Sequence, residues 1–316
     1  MRRGPRLVAI GGGTGLSTLL RGIKEHTSNI TAVVTVADDG GSSGRLRREM
    51  GVLPPGDIRN CLVALADAEP LMQRLFQYRF GEDGPPGLAG HNFGNLFIAT
   101  MCEITGDFEL AIKESSRVLA VRGQVLPSTL SQVTLVAELE DGTTVQGESN
   151  VSKSKSRIRR VRLVPEDALP LPDTLQAIGE ADMIILGPGS LYTSVLPNLI
   201  VRGVPEAIRE SHAPRVYVCN VMTQPGETDD FTASDHVKAI LSHAGHGIMD
   251  YVIVNTGDIP GELLGKYRQE GAVPVIPDIE RVEALGIKVI QGDFISKTDV
   301  VRHDPRKLAS AIVGML

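Results

Sequence analysis

Apolar residues fall in blocks along this chain, and the blocks alternate between two periods. RLVAIGG (6–12) is a short run, apolar on both faces, that ends in glycines, and ITAVVTVADD (30–39) is a second, ending in acids. DMIILGPGS (182–190), RVYVCNV (215–221), YVIVNTG (251–257) and IKVIQGD (287–293) repeat the pattern. Runs without polar alternation suit strands covered on both faces, as in a parallel sheet. Between them lie segments of helical period, LSTLLRGIKEH (16–26) and ASDHVKAILSHAG (233–245). The succession predicts right-handed βαβ units in an α/β, doubly wound, three-layer Rossmann-like sheet.

Two regions break the rhythm. Residues 53–120 read as several helices around a Gly/Pro-rich loop, GEDGPPGLAG (81–90), and predict a helical insertion. Residues 132–150 alternate with period two around Asp141-Gly142, the signal of a hairpin, which places a β-hairpin insertion at about 130–165 in a single 1–316 domain. The basic run SKSKSRIRRVRL (152–163) reads as a solvated edge strand before it reads as a phosphate site. Near the end, Asp304 at N-cap and Pro305 at N1 start a last helix.

Composition narrows the class. The 316 residues are 42% hydrophobic and 22% charged, with a formal net charge of -6, so no basic excess points to nucleic acid. No apolar run is long enough to span a bilayer, and the start, MRRGPRLVAIGGGTG, reads as a strand and not a signal peptide. Cys61, Cys102 and Cys219 are odd in number and lack CxxC spacing, which fits a reducing cytoplasm.

The candidate chemistry sits at strand ends. Gly11, Gly12, Gly13 and Gly15 turn the chain from the first strand into the first helix, whose free N–H groups suit an anion; Thr14 and Leu16 complete the turn, and Thr14, Ser17 and Thr18 add hydroxyls. The spacing is neither a dinucleotide fingerprint nor a Walker loop. After the second strand, Asp38 and Asp39 stand where a ribose-binding acid or a Mg²⁺ ligand stands. Ser42 and Ser43 follow as donors, and Arg45, Arg47 and Arg48 as phosphate clamps. Asp57 reads as the N-cap of an apolar helix, with Arg59 and Asn60 in its first turn. His91, Asn92 and Asn95 form a polar cluster in HNFGNL. Gly187, Pro188, Gly189, Ser190, Tyr192, Thr193 and Ser194 repeat the glycine–hydroxyl logic of the first turn, so two anion-friendly turns are expected to converge. NVMTQPGET (220–228) and NTGD (255–258) are further polar strand ends on the same expected rim. No Ser-His-Asp order, HExxH pair or nucleophile elbow supports covalent catalysis.

GGGTGLSTLLRG, VADDGGSSGRLR, LPPGDIRNCLVALAD, HNFGNL, GPGSLYTSVLPNL and RHDPRKLA together resemble the gluconeogenesis-factor (YvcK-type) family over essentially the whole chain. The resemblance implies a cytoplasmic protein needed for cell shape and wall synthesis on gluconeogenic carbon. It also implies binding of UDP-sugars such as UDP-N-acetylglucosamine, with Arg302 in that site. The related fold is that of the Mg²⁺-dependent 2-phospho-L-lactate transferase (CofD-like). By that likeness Asp39 touches acceptor or metal and Asp57 is a second acid. The chain lacks that enzyme's aromatic residue in the acidic turn and reads HNFGN where the enzyme has a charged segment. Three readings follow: a nucleotide-sugar-binding regulator without turnover, a Mg²⁺-dependent phosphoryl-type transferase, and an NAD-binding protein. A small-molecule nucleotide is the expected partner, and a homodimer is left open.

Overall fold

The computed structural model describes residues 4–154, 156–296 and 301–316. Its centre is a seven-stranded sheet of β1 (Leu7–Gly11), β2 (Ile30–Val34), β3 (Gln124–Pro127), β7 (Met183–Leu186), β8 (Arg215–Val218), β9 (Tyr251–Asn255) and β10 (Lys288–Gly292). The strand order is β10-β9-β8-β7-β1-β2-β3, and every pairing in it is parallel. The chain runs outward from β1 through β2 to β3, then returns to place β7 on the other side of β1. That reversal makes the β1/β7 boundary the topological switch point, the crevice where open α/β sheets bind ligands.

β1 is apolar throughout because both its faces are covered; it packs against α1 (Gly13–Ile23) and α9 (Leu196–Leu199). α1 in turn is gripped by α3 (Gly56–Leu65) and by the C-terminal helix Pro305–Val313. Gly22 makes that last contact fit, since a Cβ there would run into the Pro305 carbonyl. Asp304 caps the C-terminal helix as its sequence predicts, accepting from the amides of Arg306 (2.9 Å) and Lys307 (3.0 Å).

The connection from β2 to β3 carries α2 (Gly41–Met50), α3, α4 (Pro70–Gln77), α5 (Phe93–Thr105) and α6 (Phe108–Val118). The reading of 53–120 as an insertion needs adjusting: α3 packs on α1, β2 and β3, and α6 on β3, so both belong to the helical layer. The connection from β3 to β7 carries a small antiparallel sheet, β5-β4-β6, with β4 at Thr134–Leu139, β5 at Thr144–Gln146 and β6 at Ile158–Val164. Its hairpin turns at Asp141-Gly142 as expected. The basic run supplies β6, an edge strand. α7 (Glu148–Val151) links β5 to β6, and α8 (Pro172–Gly179) leads into β7. Among the described residues no helix is long and apolar enough to cross a membrane.

Candidate functional site

Because β1 and β7 are parallel neighbours, the turns that follow them emerge side by side. The Gly187 amide donates to the Ile10 carbonyl (2.8 Å), carrying the pairing into the second turn. Gly15 lies so close to the second turn that a Cβ would stand 2.6 Å from the Pro188 carbonyl oxygen. Gly13 has φ +64° and Gly187 φ +75°, left-handed values that favour glycine. Asn220, after β8, braces the second turn from outside, donating to Gly189 O at 2.8 Å and accepting from its amide at 3.4 Å.

A cavity of about 310 Å³ opens over this junction. Gly13, Thr14, Gly15, Thr18, Pro188, Gly189, Ser190 and Ser194 line one half of it, and Asn220–Gln224, Tyr267 and Val301–His303 the other. Arg302 is exposed at the rim, whereas His303 is buried, and burial pushes its pKa down to about 4, so it is neutral. A larger hollow, of about 640 Å³, lies at the N-terminal edge of the sheet around Arg6, Asn29 and Gln124. It has no glycine-turn amides over it, so the chemistry points to the smaller cavity.

α1 begins at an extended Gly12 with no side-chain cap and no acidic residue in its first turn; its Gly13 amide meets the Asp57 carboxylate, and Thr14 and Gly15 border the cavity. The hydroxyls differ from expectation: Ser17 and Thr18 both donate to the Thr14 carbonyl, at 3.0 and 2.8 Å. Leu16 is a core residue, 0% exposed, and only its backbone borders the turn.

The second turn is occupied from within. Glu227, 3% exposed, accepts from the Thr193 hydroxyl at 3.0 Å and from Gln224 Nε2 at 2.8 Å. The amides of Tyr192 and Thr193 face the same carboxylate at the start of the π-helical turn Leu191–Val195. Tyr192 points elsewhere, donating to the Ile158 carbonyl at 3.4 Å. Of the second turn's predicted donors, Ser190 and Ser194 therefore reach the cavity, and Tyr192 and Thr193 do not.

Asp38 and Asp39 follow β2 beside the first turn, both half-buried. Asp38 accepts from the Gly40 amide at 2.8 Å, and Asp39 from the Ser149 amide of α7 at 2.9 Å. Asp57 is not the N-cap of α3; Pro55 holds that position, and the helix starts at Gly56, ahead of Asp57. Asp57 therefore lies within the first turn and faces the Gly13 amide. A Cβ on Gly12 would stand 2.6 Å from its Oδ2. Ser42, Ser43, Asn92 and Asn95 do not line the cavity. Ser43 accepts from the Gly56 amide (3.1 Å) and from Asn95 Nδ2 (3.4 Å). Ser42 bonds His91 Nδ1 (3.1 Å), and Asn92 caps α5 by accepting from the Asn95 amide. Arg45 and Arg47 are braces and not clamps, donating to the carbonyls of Ala89 and Val133.

Five carboxylates lie within one another's field around the two turns: Asp38, Asp39, Asp57 and Glu227, with Glu148 of α7 among them. Burial, with Asp38 next to it, lifts Asp57 to about 6. Burial and the field of Asp38, Glu227, Asp57 and Asp39 lift Glu148 to about 8. Burial lifts Glu227 to about 7 and raises Asp38. Glu148 and Glu227 carry no local sequence signal, since one lies in the small sheet and the other in a loop after β8. Asp38, Asp39 and Asp57 are hard oxygen donors suited to Mg²⁺. Among the described residues, however, no three acidic, histidine or cysteine side chains stand at metal-ligating spacing.

Fold and site together define a Rossmann-like α/β protein with a glycine-lined cleft at its switch point. The family model described as 2-phospho-L-lactate transferase CofD matches residues 7–295. The gluconeogenesis factor of Bacillus subtilis strain 168 is 54% identical, over 100% of this chain and 99% of its own length. That of Listeria monocytogenes is 45% identical over 99% and 96%. A crystal structure of a UPF0052-family protein from Bacillus halodurans superposes with TM-score 0.95 at 53% identity, covering 98% of this chain and 99% of that one. The chain belongs to the CofD family and, within it, to the gluconeogenesis factors.

Proposed function

We propose that the protein binds a nucleotide sugar of the UDP type, its diphosphate on the first glycine turn and the rest of the ligand along the cavity toward Arg302. The observation that carries this reading is the uncapped start of α1 opening into a cavity of about 310 Å³ at the switch point. On this reading it acts in the cytoplasm as a non-catalytic regulator that supports cell shape and wall synthesis during gluconeogenic growth. The names of its relatives agree with the growth role, and its three free cysteines with a reducing compartment. The test is calorimetry and thermal shift with UDP-N-acetylglucosamine. At 100 times its Kd the ligand should add about 2.7 kcal/mol, and Arg302→Ala should weaken it; silence at millimolar ligand refutes the reading. Competition with NAD tests the dinucleotide alternative. Against that alternative, Asp38 and Asp39 already accept backbone amides.

The crowded carboxylates favour one second reading, a Mg²⁺-dependent phosphoryl-type transferase with Asp39 and Asp57 as its acids. Mutual repulsion among buried acids is relieved by a cation. Magnesium-dependent turnover that disappears in Asp39→Asn at unchanged melting temperature would establish it; equal turnover would remove it.

A further inference from the structure

The helices α2, α3 and α5 begin at one place. The Gly56 amide of α3 and the Asn95 side chain of α5 both donate to Ser43 Oγ of α2, and the Asn92 amide donates to Ser42 Oγ (3.2 Å). Three positive helix ends therefore face a common point. Arg59, from the first turn of α3, reaches into it. Its side chain crosses the first turn of α5 at Gly94, where a Cβ would stand 2.8 Å from Arg59 Cδ.

Arg59 is only 7% exposed. Its Nη2 donates to Asn60 Oδ1 at 2.7 Å, but Nε and Nη1 are buried with no partner, and so is Asn95 Oδ1. Asp57 and Asp38 attract the guanidinium without bonding it, and Arg79 repels it. A buried cation with two unmatched N–H groups is costly. The positive field around it suits an anion better than a neutral water. A guanidinium fork also matches the paired oxygens of a carboxylate or phosphate. Asn60, next to it in the chain, and Phe93, next to Gly94, are only partly covered.

We propose that the α2/α3/α5 junction is a second oxyanion subsite, in which Arg59 holds the phosphate or carboxylate group of a small organic acid. Asp57, which meets the Gly13 amide and attracts Arg59, stands between this junction and the first glycine turn, and neither Arg59 nor Asn95 lines the cavity there. The junction is therefore a separate anion point, for a second and small acidic ligand. The proposal stands whether or not the first turn holds a nucleotide.

The experiment is calorimetric titration of inorganic phosphate into the full chain, beside Arg59→Lys and Asn95→Asp. The second variant sets a carboxylate next to the guanidinium and fills the subsite from within. Wild-type protein should take up phosphate saturably, and both variants should bind it about tenfold more weakly or worse, as expected for a lost charged hydrogen bond. Asn95→Asp should melt no lower than wild type. No saturable uptake, or affinities within about twofold of wild type in the variants, overturns the proposal; if Arg59→Lys does not fold, Asn95→Asp decides. A parallel titration with malonate tells a phosphoryl from a carboxylate ligand by which anion binds more tightly. UDP-N-acetylglucosamine affinity, measured on the same variants, reports on the first turn separately.

Discussion

The two glycine turns at the switch point look alike in sequence and differ in what occupies them. Both follow a buried strand, use left-handed glycines and lead into a helix. The turn after β1 has no side-chain cap, meets Asp57 only through its Gly13 amide, and opens at Thr14 and Gly15 on a cavity. The turn after β7 has a carboxylate, that of Glu227, already seated against its amides and the Thr193 hydroxyl. A helix start attracts anions in general, and whether the anion is a ligand or part of the chain is decided by a residue far away in sequence.

The largest blow to this arrangement should come from Gly15→Ala. The new methyl would overlap the Pro188 carbonyl and push the two turns apart. We expect a loss of about 2–4 kcal/mol in stability, of the order of an overpacked core, and UDP-sugar affinity should fall by about a hundredfold in calorimetry. Next comes Glu227→Gln, which empties the second turn of charge. Because the folded pKa of Glu227 is raised, the native state keeps a proton that the unfolded chain has released. Stability from this group is therefore complete below pH 4.5 and declines as pH rises through about 7. Removing the charge should raise stability at pH 8 by roughly 1–3 kcal/mol and change little at pH 4, as read by urea melts at both. If the two melts shift equally, the carboxylate is not under the strain described. Asn220→Ala should loosen the second turn alone, costing about 1–2 kcal/mol for a two-bond brace. The smallest effect belongs to Ser17→Ala. Its hydroxyl serves the helix and not the cavity, so affinity should stay within about twofold.

Much of this was readable in advance, for reasons that can be stated. Strands buried on both faces appear as unbroken apolar runs, so β1, β2 and β7 and the glycines that end them declared the sheet and its rim. The Asp141-Gly142 hairpin was local, and so was the Asp304 cap. What was hidden depended on distance. Nothing near Glu148 tells that it stands among Asp38, Glu227, Asp57 and Asp39, because α7 and the loop after β8 are brought there by the fold. Asp57 was misplaced by local rules: an acid before an apolar helix resembles a cap, yet the helix already starts at Gly56, which puts Asp57 in the first turn with its carboxylate on the Gly13 amide. Ser42, Ser43, Asn92 and Asn95 were recognised as polar and in need of partners, but the partners proved to be one another and neighbouring backbone.

The grip of Pro305–Val313 on α1 has a consequence for how the protein is made. α1, with Leu16, Leu19, Leu20 and Ile23 bound for the core, is synthesised long before one of the helices that clamp it, Pro305–Val313. The segment just before that helix, Val301–His303, also forms one wall of the cavity. A nascent chain can pair its strands early, but the wall of the cavity is complete only once residues 301–313 are free to fold, so chains stopped before Val301 should lack it.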